Sequence, residues 1–91
     1  MEEFLIVAFQ RPGDAALAQK TLLEQKLKVA MMPTPRGVSV SCGLAIRFQP
    51  QDTDAIIATL RSLFPEPERC HFFRACKEQG HRVFYPIASA D

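Results

Sequence analysis

The change in the spacing of apolar residues along the chain constrains the fold more than any other feature. Residues 3–9 (EFLIVAF) form a run rich in Ile, Val and Phe, which is typical of a buried strand. After a break at residues 10–13 the spacing becomes helical, and Asp14 is predicted to cap the helix by accepting a hydrogen bond from a first-turn N–H. The predicted inward-facing stripe of this helix comprises Ala15, Ala18, Leu22, Leu23 and Leu27.

The remaining segments continue to alternate between strand and helix patterns. Residues 29–32 and 44–48 predict two more strands. A second helix is predicted by the clearest helical stripe of the chain, which comprises Ile56, Ile57, Leu60, Leu63 and Phe64. Prolines end that helix and are also typical of the first turn of another, so residues 65–80 are predicted to form an extra helix that stops at Gly80. Residues 82–87 predict the last strand.

This order of elements predicts an α+β fold. Two right-handed β-α-β crossovers that share one antiparallel sheet give a ferredoxin-like βαββαβ split sandwich, with helices on one face and here an extra helix before the last strand. A chain of 91 residues is long enough for one small core. No linker, repeat or low-complexity tract divides it, so residues 1–91 are predicted to form a single ferredoxin-like domain.

The charge pattern argues against two classes of partner. The formal net charge is +1 and the basic residues are scattered, so no run of them would follow a phosphate backbone or an anionic membrane. No stretch approaches the roughly 18 apolar residues of a membrane span. The start Met-Glu-Glu lacks the basic residues of a signal peptide. We therefore expect a cytoplasmic protein that binds neither nucleic acid nor membrane.

Three cysteines, Cys42, Cys70 and Cys76, agree with a reducing compartment, because a small secreted domain usually carries an even set. On the predicted extra helix, Cys70 and Cys76 would lie about 240° apart around the axis and would not share a face. We therefore expect no metal site and no cofactor, with Cys76 in the core and Cys70 half-exposed. A disulfide from Cys42 to either of them stays open.

The segment Pro33–Gly43 (PTPRGVSVSCG) carries the chemistry of the chain. Pro33 and Pro35 fix φ and favour extended conformations before them, which predicts a stiff loop leading out of the sheet. Gly43 has no Cβ, so N–H groups near Cys42 can be approached closely and φ > 0 is open there. Because N–H donors and a nearby cation lower a thiol pKa, Cys42 is a candidate nucleophile. Burial of Cys42 as a small apolar residue is the alternative.

This segment closely resembles the signature of a small bacterial family described as selenium/sulfur carrier protein-like. The signature is P-x-P-R-x-x-S-x-S-C-G followed by an apolar strand, here residues 44–48. The resemblance covers about residues 4–63 and implies that Cys42 is the carrier thiol. It also implies four supporting positions, which are Arg36, Ser39, Ser41 and Gly43. The chain departs from the family pattern after the second helix, where residues 65–80 intervene before the last strand.

The resemblance implies a carrier that holds a persulfide or selenenylsulfide on Cys42 and passes it to an acceptor protein. The implied donor is an enzyme such as a cysteine desulfurase or a selenocysteine lyase. A carrier needs neither a substrate pocket nor a general base, so the sequence favours a carrier over a stand-alone enzyme. The alternative is a non-catalytic ferredoxin-like adaptor or regulatory module in which Cys42 is structural. The choice between sulfur and selenium, and a homodimer formed through an edge strand, stay open.

Overall fold

The described part of the chain forms an antiparallel five-stranded sheet with two helices. The computed structural model describes residues 4–35, 43–66 and 69–87. Within them, the strands are β1 (Phe4–Phe9), β2 (Val29–Pro33), β3 (Leu44–Phe48), β4 (Cys70–Glu78) and β5 (His81–Pro86). The helices are α1 (Pro12–Glu24) and α2 (Thr53–Leu63), and a 3-10 turn at Pro50–Asp52 precedes α2. The strand order is β2-β3-β1-β4-β5, so β1 is central and β2 and β5 form the edges.

The main core lies between the sheet and the two helices. Alternate residues of β1 point toward the helices, because side chains of a strand alternate between the two faces. Leu5, Val7 and Phe9 therefore join the helix-facing core, and the rings of Phe9 and Phe64 meet edge to face at 6.1 Å. From the helices this core takes Ala15, Ala18, Leu22, Ile56, Ile57 and Leu60. No helix among the described residues is long and apolar enough to cross a membrane.

The opposite face of the sheet carries a second, smaller apolar cluster. Its buried members are Phe4, Ile6, Ala8, Ala45 and Ala75, with Met32, Phe73 and Phe84 packed against them. Two arginines lie over the Phe4 ring, with the guanidinium carbon of Arg47 at 4.1 Å and that of Arg82 at 4.8 Å from the ring centroid. The aliphatic stems of these arginines shield the ring while their charged ends stay exposed.

The predicted extra helix over residues 65–80 is wrong, because most of that segment is β4. This strand pairs with β1 along its first six residues, from Cys70 opposite Phe9 to Ala75 opposite Phe4. It then continues into a tight hairpin with β5 through Gln79 and Gly80, whose φ values of 51° and 82° are those of a type I′ turn. Gly80 is thus a hairpin residue rather than a helix stop. Because the side chains of a strand alternate, Phe72 and Phe73 point to opposite sides of the sheet.

The prediction for α1 is confirmed in position but wrong in two details. The helix begins at Pro12 after Arg11, and no side chain caps it. Asp14 is instead nearly buried and binds Arg69, which precedes β4. Leu23, predicted to face inward, is 50% exposed, because it lies about 100° around the helix axis from Leu22 and outside the buried stripe of Ala15, Ala18 and Leu22.

Candidate functional site

Four of the five residues implied for the site, Arg36, Ser39, Ser41 and Cys42, lie outside the described residues. The fifth, Gly43, is described and exposed. The structure therefore defines the two points where the chain enters and leaves the segment 36–42, together with the residues around those points.

The two ends of this segment are held together by the β2–β3 hairpin. Pro33 lies opposite Leu44 in the strand register, and the Thr34 N–H donates to the Gly43 carbonyl at 2.9 Å. These paired residues, Pro33 with Leu44 and Thr34 with Gly43, are the base of the segment, and ladder hydrogen bonding joins this base to the sheet. Because Gly43 directly follows Cys42 in sequence, the base is anchored one residue from the thiol-bearing position.

This base lies at the end of the sheet where α1 begins. Ala45 of β3 is opposite Ala8 of β1, and Ala8 is opposite His71 of β4, so the three form one row across the sheet. β1 ends one residue after Ala8, and α1 starts at Pro12. A helix N-terminus presents N–H groups and the positive end of the helix dipole, which stabilise a nearby anion such as a thiolate.

His71 and Gln10 are the polar pair that sequence reasoning did not place near this end. The Gln10 Nε2 and His71 Nε2 atoms are 3.4 Å apart, and both side chains are partly buried. His71 lies two strand spacings, about 10 Å, from Ala45 along its row. Recognising residues 70–78 as a strand would have placed His71 beside β1, but the helix predicted over residues 65–80 excluded this pairing.

Gly43 does not need the special backbone freedom that the sequence suggested. Its φ is not positive, since Gly80 is the positive-φ glycine of the described residues. A Cβ built on Gly43 meets no atom of the described residues within 4 Å. The positive φ that the sequence left open at this position is therefore not used, and close approach to the backbone is the other property that a glycine offers there.

The other two thiols are inside the protein. Cys70 is 1% exposed and Cys76 is 9% exposed, and neither forms a disulfide. The prediction of a core position for Cys76 is confirmed, and that of a half-exposed Cys70 is wrong. Both lie on the same face of β4, six residues and thus about 20 Å apart, too far to bridge. Burial raises the pKa of the Cys70 thiol, which disfavours its nucleophilic form.

An ion-pair cluster ties the start of α1 to the start of β4. Arg69 donates from Nη2 to Asp14 Oδ1 at 2.9 Å and from Nε to Asp14 Oδ2 at 3.2 Å. It also contacts Glu66 at 3.3 Å and lies over the Phe64 ring. Hydrogen bonding to Asp14 raises the pKa of Arg69, while a backbone hydrogen bond, followed by Arg69, lowers the pKa of Glu66. The cluster fixes α1 relative to the sheet end that carries Gly43.

Nothing in the described part of the chain assembles a metal site. No three His, Cys, Asp or Glu side chains of residues 4–35, 43–66 and 69–87 lie close enough to hold an ion. The described polar groups at this end of the sheet include the N-terminus of α1, the Gln10–His71 pair and the ion pairs of Arg69.

Comparison with known proteins identifies the family of the chain. A family model described as "Putative Se/S carrier protein-like" matches residues 4–71, about three quarters of the chain. The chain therefore belongs to this selenium/sulfur carrier-like family. The match reaches into β4 and includes Gly43, the Gln10–His71 pair and all of α1 and α2. No curated protein and no solved structure matches the chain.

Proposed function

We propose that this protein is a sulfur or selenium carrier that holds the atom on Cys42 and passes it to an acceptor protein. The observation that carries the proposal is the contrast among the three cysteines of this family member. Cys70 and Cys76 are buried in β4, whereas the neighbour of Cys42, Gly43, is exposed at the end of the sheet. The family description supports a carrier in general terms, and the persulfide chemistry is our extension of it.

The transfer step needs only a thiolate and room to approach it. The Cys42 thiolate attacks the outer sulfur of a persulfide on the donor enzyme. The donor's S–S bond breaks, its cysteine leaves as a thiolate, and Cys42 becomes the persulfide. An acceptor nucleophile then takes the outer sulfur and releases the Cys42 thiolate. No external oxidant or reductant is required, because the sulfur keeps its oxidation state in both exchanges.

Residues at the sheet end support the ionised form in this proposal. The N-terminus of α1 lies at the same end of the sheet as Gly43, where the positive end of its dipole would favour a thiolate, and Arg36, Ser39 and Ser41 are the further candidate donors. His71 of the Gln10–His71 pair lies in the same row as Ala45, about 10 Å from it, and in this proposal the pair contacts the donor or acceptor protein. The reaction would take place in the cytoplasm, where thiols stay reduced.

We also propose that β1 to β4 and the two helices form a ferredoxin-like unit to which β5 is added. The order β2-β3-β1-β4 with antiparallel neighbours supports this arrangement, as do two helices that share one face and contact each other. In this arrangement β5 extends the sheet beyond β4, on the side away from Gly43.

The test is incubation of the reduced chain with a cysteine desulfurase and cysteine, followed by mass spectrometry of the intact protein. We expect a gain of one sulfur atom, located by digestion on the peptide that contains Cys42. The Cys42→Ser variant should gain none, and the Cys76→Ala variant should gain one, as the wild type does. The same measurement with a selenocysteine lyase and selenocysteine as the donor tests whether Cys42 accepts selenium. Equal labelling of Cys42→Ser would contradict the carrier function.

If Cys42 is instead structural, the protein is a non-catalytic adaptor or regulatory module. Titration of the native chain with a thiol reagent separates these functions. The carrier predicts one fast-reacting thiol, lost in Cys42→Ser, and two thiols that react only after denaturation because they are buried in β4.

A further inference from the structure

A groove of about 650 Å³ lies at the opposite end of the sheet from Gly43. It is lined by the end of α1, the start of β2 and the end of β3, including Leu23, Leu27, Val29 and Phe48. Leu23 is a large apolar side chain left half-exposed, and it faces this groove. A volume of this size falls within the range of natural binding sites.

The groove adjoins the free edge of the sheet. Since Thr34 and Gly43 form a hydrogen-bonded pair, alternation along an antiparallel ladder makes Met32 and Ala30 hydrogen-bonded positions too. The backbone N–H and C=O groups of Val29 and Met31 therefore point away from β3. At Pro33, the next outward position, there is no N–H to offer. The edge of β2 thus presents two donors, spaced two residues or about 7 Å apart.

The β2 edge also lacks the charges that usually discourage strand addition. No residue from Val29 to Pro33 is charged, whereas the other edge strand, β5, carries His81 and Arg82. Among the described residues, the charged side chains that line the groove are those of Lys28 and Arg47, and no described carboxylate lines it. A segment that binds here would therefore be extended, partly apolar and acidic.

We propose that this groove and the outer edge of β2 bind an extended acidic peptide segment of a partner protein. The segment adds a strand that bonds to Val29 and Met31, places an apolar side chain against Leu23, and brings a carboxylate to Lys28 and Arg47. β2 runs about 17 Å from the groove to Pro33, where the Cys42-bearing segment begins. A partner held on β2 therefore reaches the end of the strand from which the chain continues toward Cys42. The partner is the donor or acceptor of sulfur in the proposed function. This identification rests on the proposed function, but strand addition itself does not.

The experiment is selection of a displayed random heptapeptide library on the whole reduced chain. We expect the selected peptides to share an acidic residue and alternating apolar residues. Leu23→Ser should weaken a synthetic selected peptide by about tenfold or more, the effect of losing one apolar contact. Lys28→Glu should also weaken it. The matched controls are Leu17→Ser and Lys20→Glu, because both residues are exposed on α1 but do not line the groove.

Hydrogen exchange supplies an independent measurement that does not depend on variants. Peptide binding should slow exchange at the outward-facing amides of Val29 and Met31. Exchange at Ala30 and Met32 should change little, because these amides already bond to β3. Enrichment of no peptide, equal binding by the Leu23 and Leu17 variants, or protection confined to β5 would overturn the proposal, as would selected peptides that are basic.

The Cys42→Ser chain separates this inference from the carrier function. It should bind the peptide as the wild type does, since strand addition uses no thiol. If the wild type accepts sulfur but binds no peptide, the carrier function is supported and the docking surface is contradicted. If it binds peptide but accepts no sulfur, the docking surface is supported and the carrier function is contradicted.

Discussion

Replacement of Gly43 by alanine tests the fold and the site in one variant. The φ of Gly43 does not lie in the left-handed region that favours glycine, and an added Cβ meets no atom of the described residues within 4 Å. Removing a glycine at such a position restricts the unfolded chain, which stabilises a protein by about 0.4–1 kcal/mol. For a domain of this size each kcal/mol shifts Tm by roughly 4–8 °C, so we expect Tm to rise by about 2–8 °C.

Gly80→Ala is the matched control, because it makes the same chemical change where the backbone does require glycine. The φ of Gly80 is 82°, in the left-handed region, although its Cβ would also meet nothing within 4 Å. Alanine at left-handed φ costs about 1–2 kcal/mol, so Tm should fall by roughly 4–16 °C. Thermal unfolding followed by circular dichroism distinguishes the two variants by the sign of the shift.

The same Gly43→Ala protein is then assayed for sulfur transfer from a cysteine desulfurase. A methyl group beside Cys42 should obstruct the donor, and a displacement of about 1 Å between reacting atoms lowers a rate by as much as ~10²-fold. We expect a stable protein with slow transfer and a Gly80→Ala protein with normal transfer below its Tm. A lower Tm for Gly43→Ala would refute the reasoning about the loop base, and a wild-type transfer rate would refute the role of Gly43 in access to Cys42.

Three further predictions follow from the described contacts. Because burial raises the pKa of Cys70, its thiol stays protonated in the native state at pH values where the unfolded thiol has ionised. The free energy of unfolding should therefore fall as pH rises above about 8.5. Denaturant titrations across pH 7–10 should show this fall, and those of Cys70→Ala should lack it. The hydrogen bond that Tyr85 donates to Glu78 raises the pKa of this single tyrosine; ultraviolet titration should show ionisation above pH 10, and Glu78→Ala should lower the midpoint. Phe64→Ala empties a 1% exposed site against Phe9 and should cost about 3–5 kcal/mol in denaturant unfolding; a loss below 1 kcal/mol would contradict this packing.

Local spacing was sufficient to predict most elements of the family-matched part of the chain. β1, β2 and β3 form where apolar and β-branched residues cluster, α2 buries the predicted Ile56, Ile57 and Leu60, and the predicted Phe64 is buried directly after the helix. These predictions hold because the period of the apolar pattern is itself the period of the buried face. The segment 70–78 failed the same test because its aromatic and apolar residues fit either period, and its strand form depends on pairing with β1 and β5.

The sequence predicted which residues could supply the chemistry of the candidate site, but not which other residues lie at the same end of the sheet. The sequence offered Cys42 with Arg36, Ser39, Ser41 and Gly43 as a motif, and these roles are still proposals. His71 could not be assigned to the same end of the sheet, because it comes from a strand far along the chain. Its place follows only from the register of β4 against β1.

By itself, the sequence determined where helices and strands form up to residue 63 and which motif links the chain to its family, since both depend on residues near one another in the chain. The tertiary structure alone decided that residues 70–78 are a strand, that Asp14 binds Arg69 rather than capping α1, and that the edge of β2 adjoins a basic, apolar groove. Each of these depends on contacts between residues distant in sequence, where hydrogen-bond pairing and burial outweigh local preference.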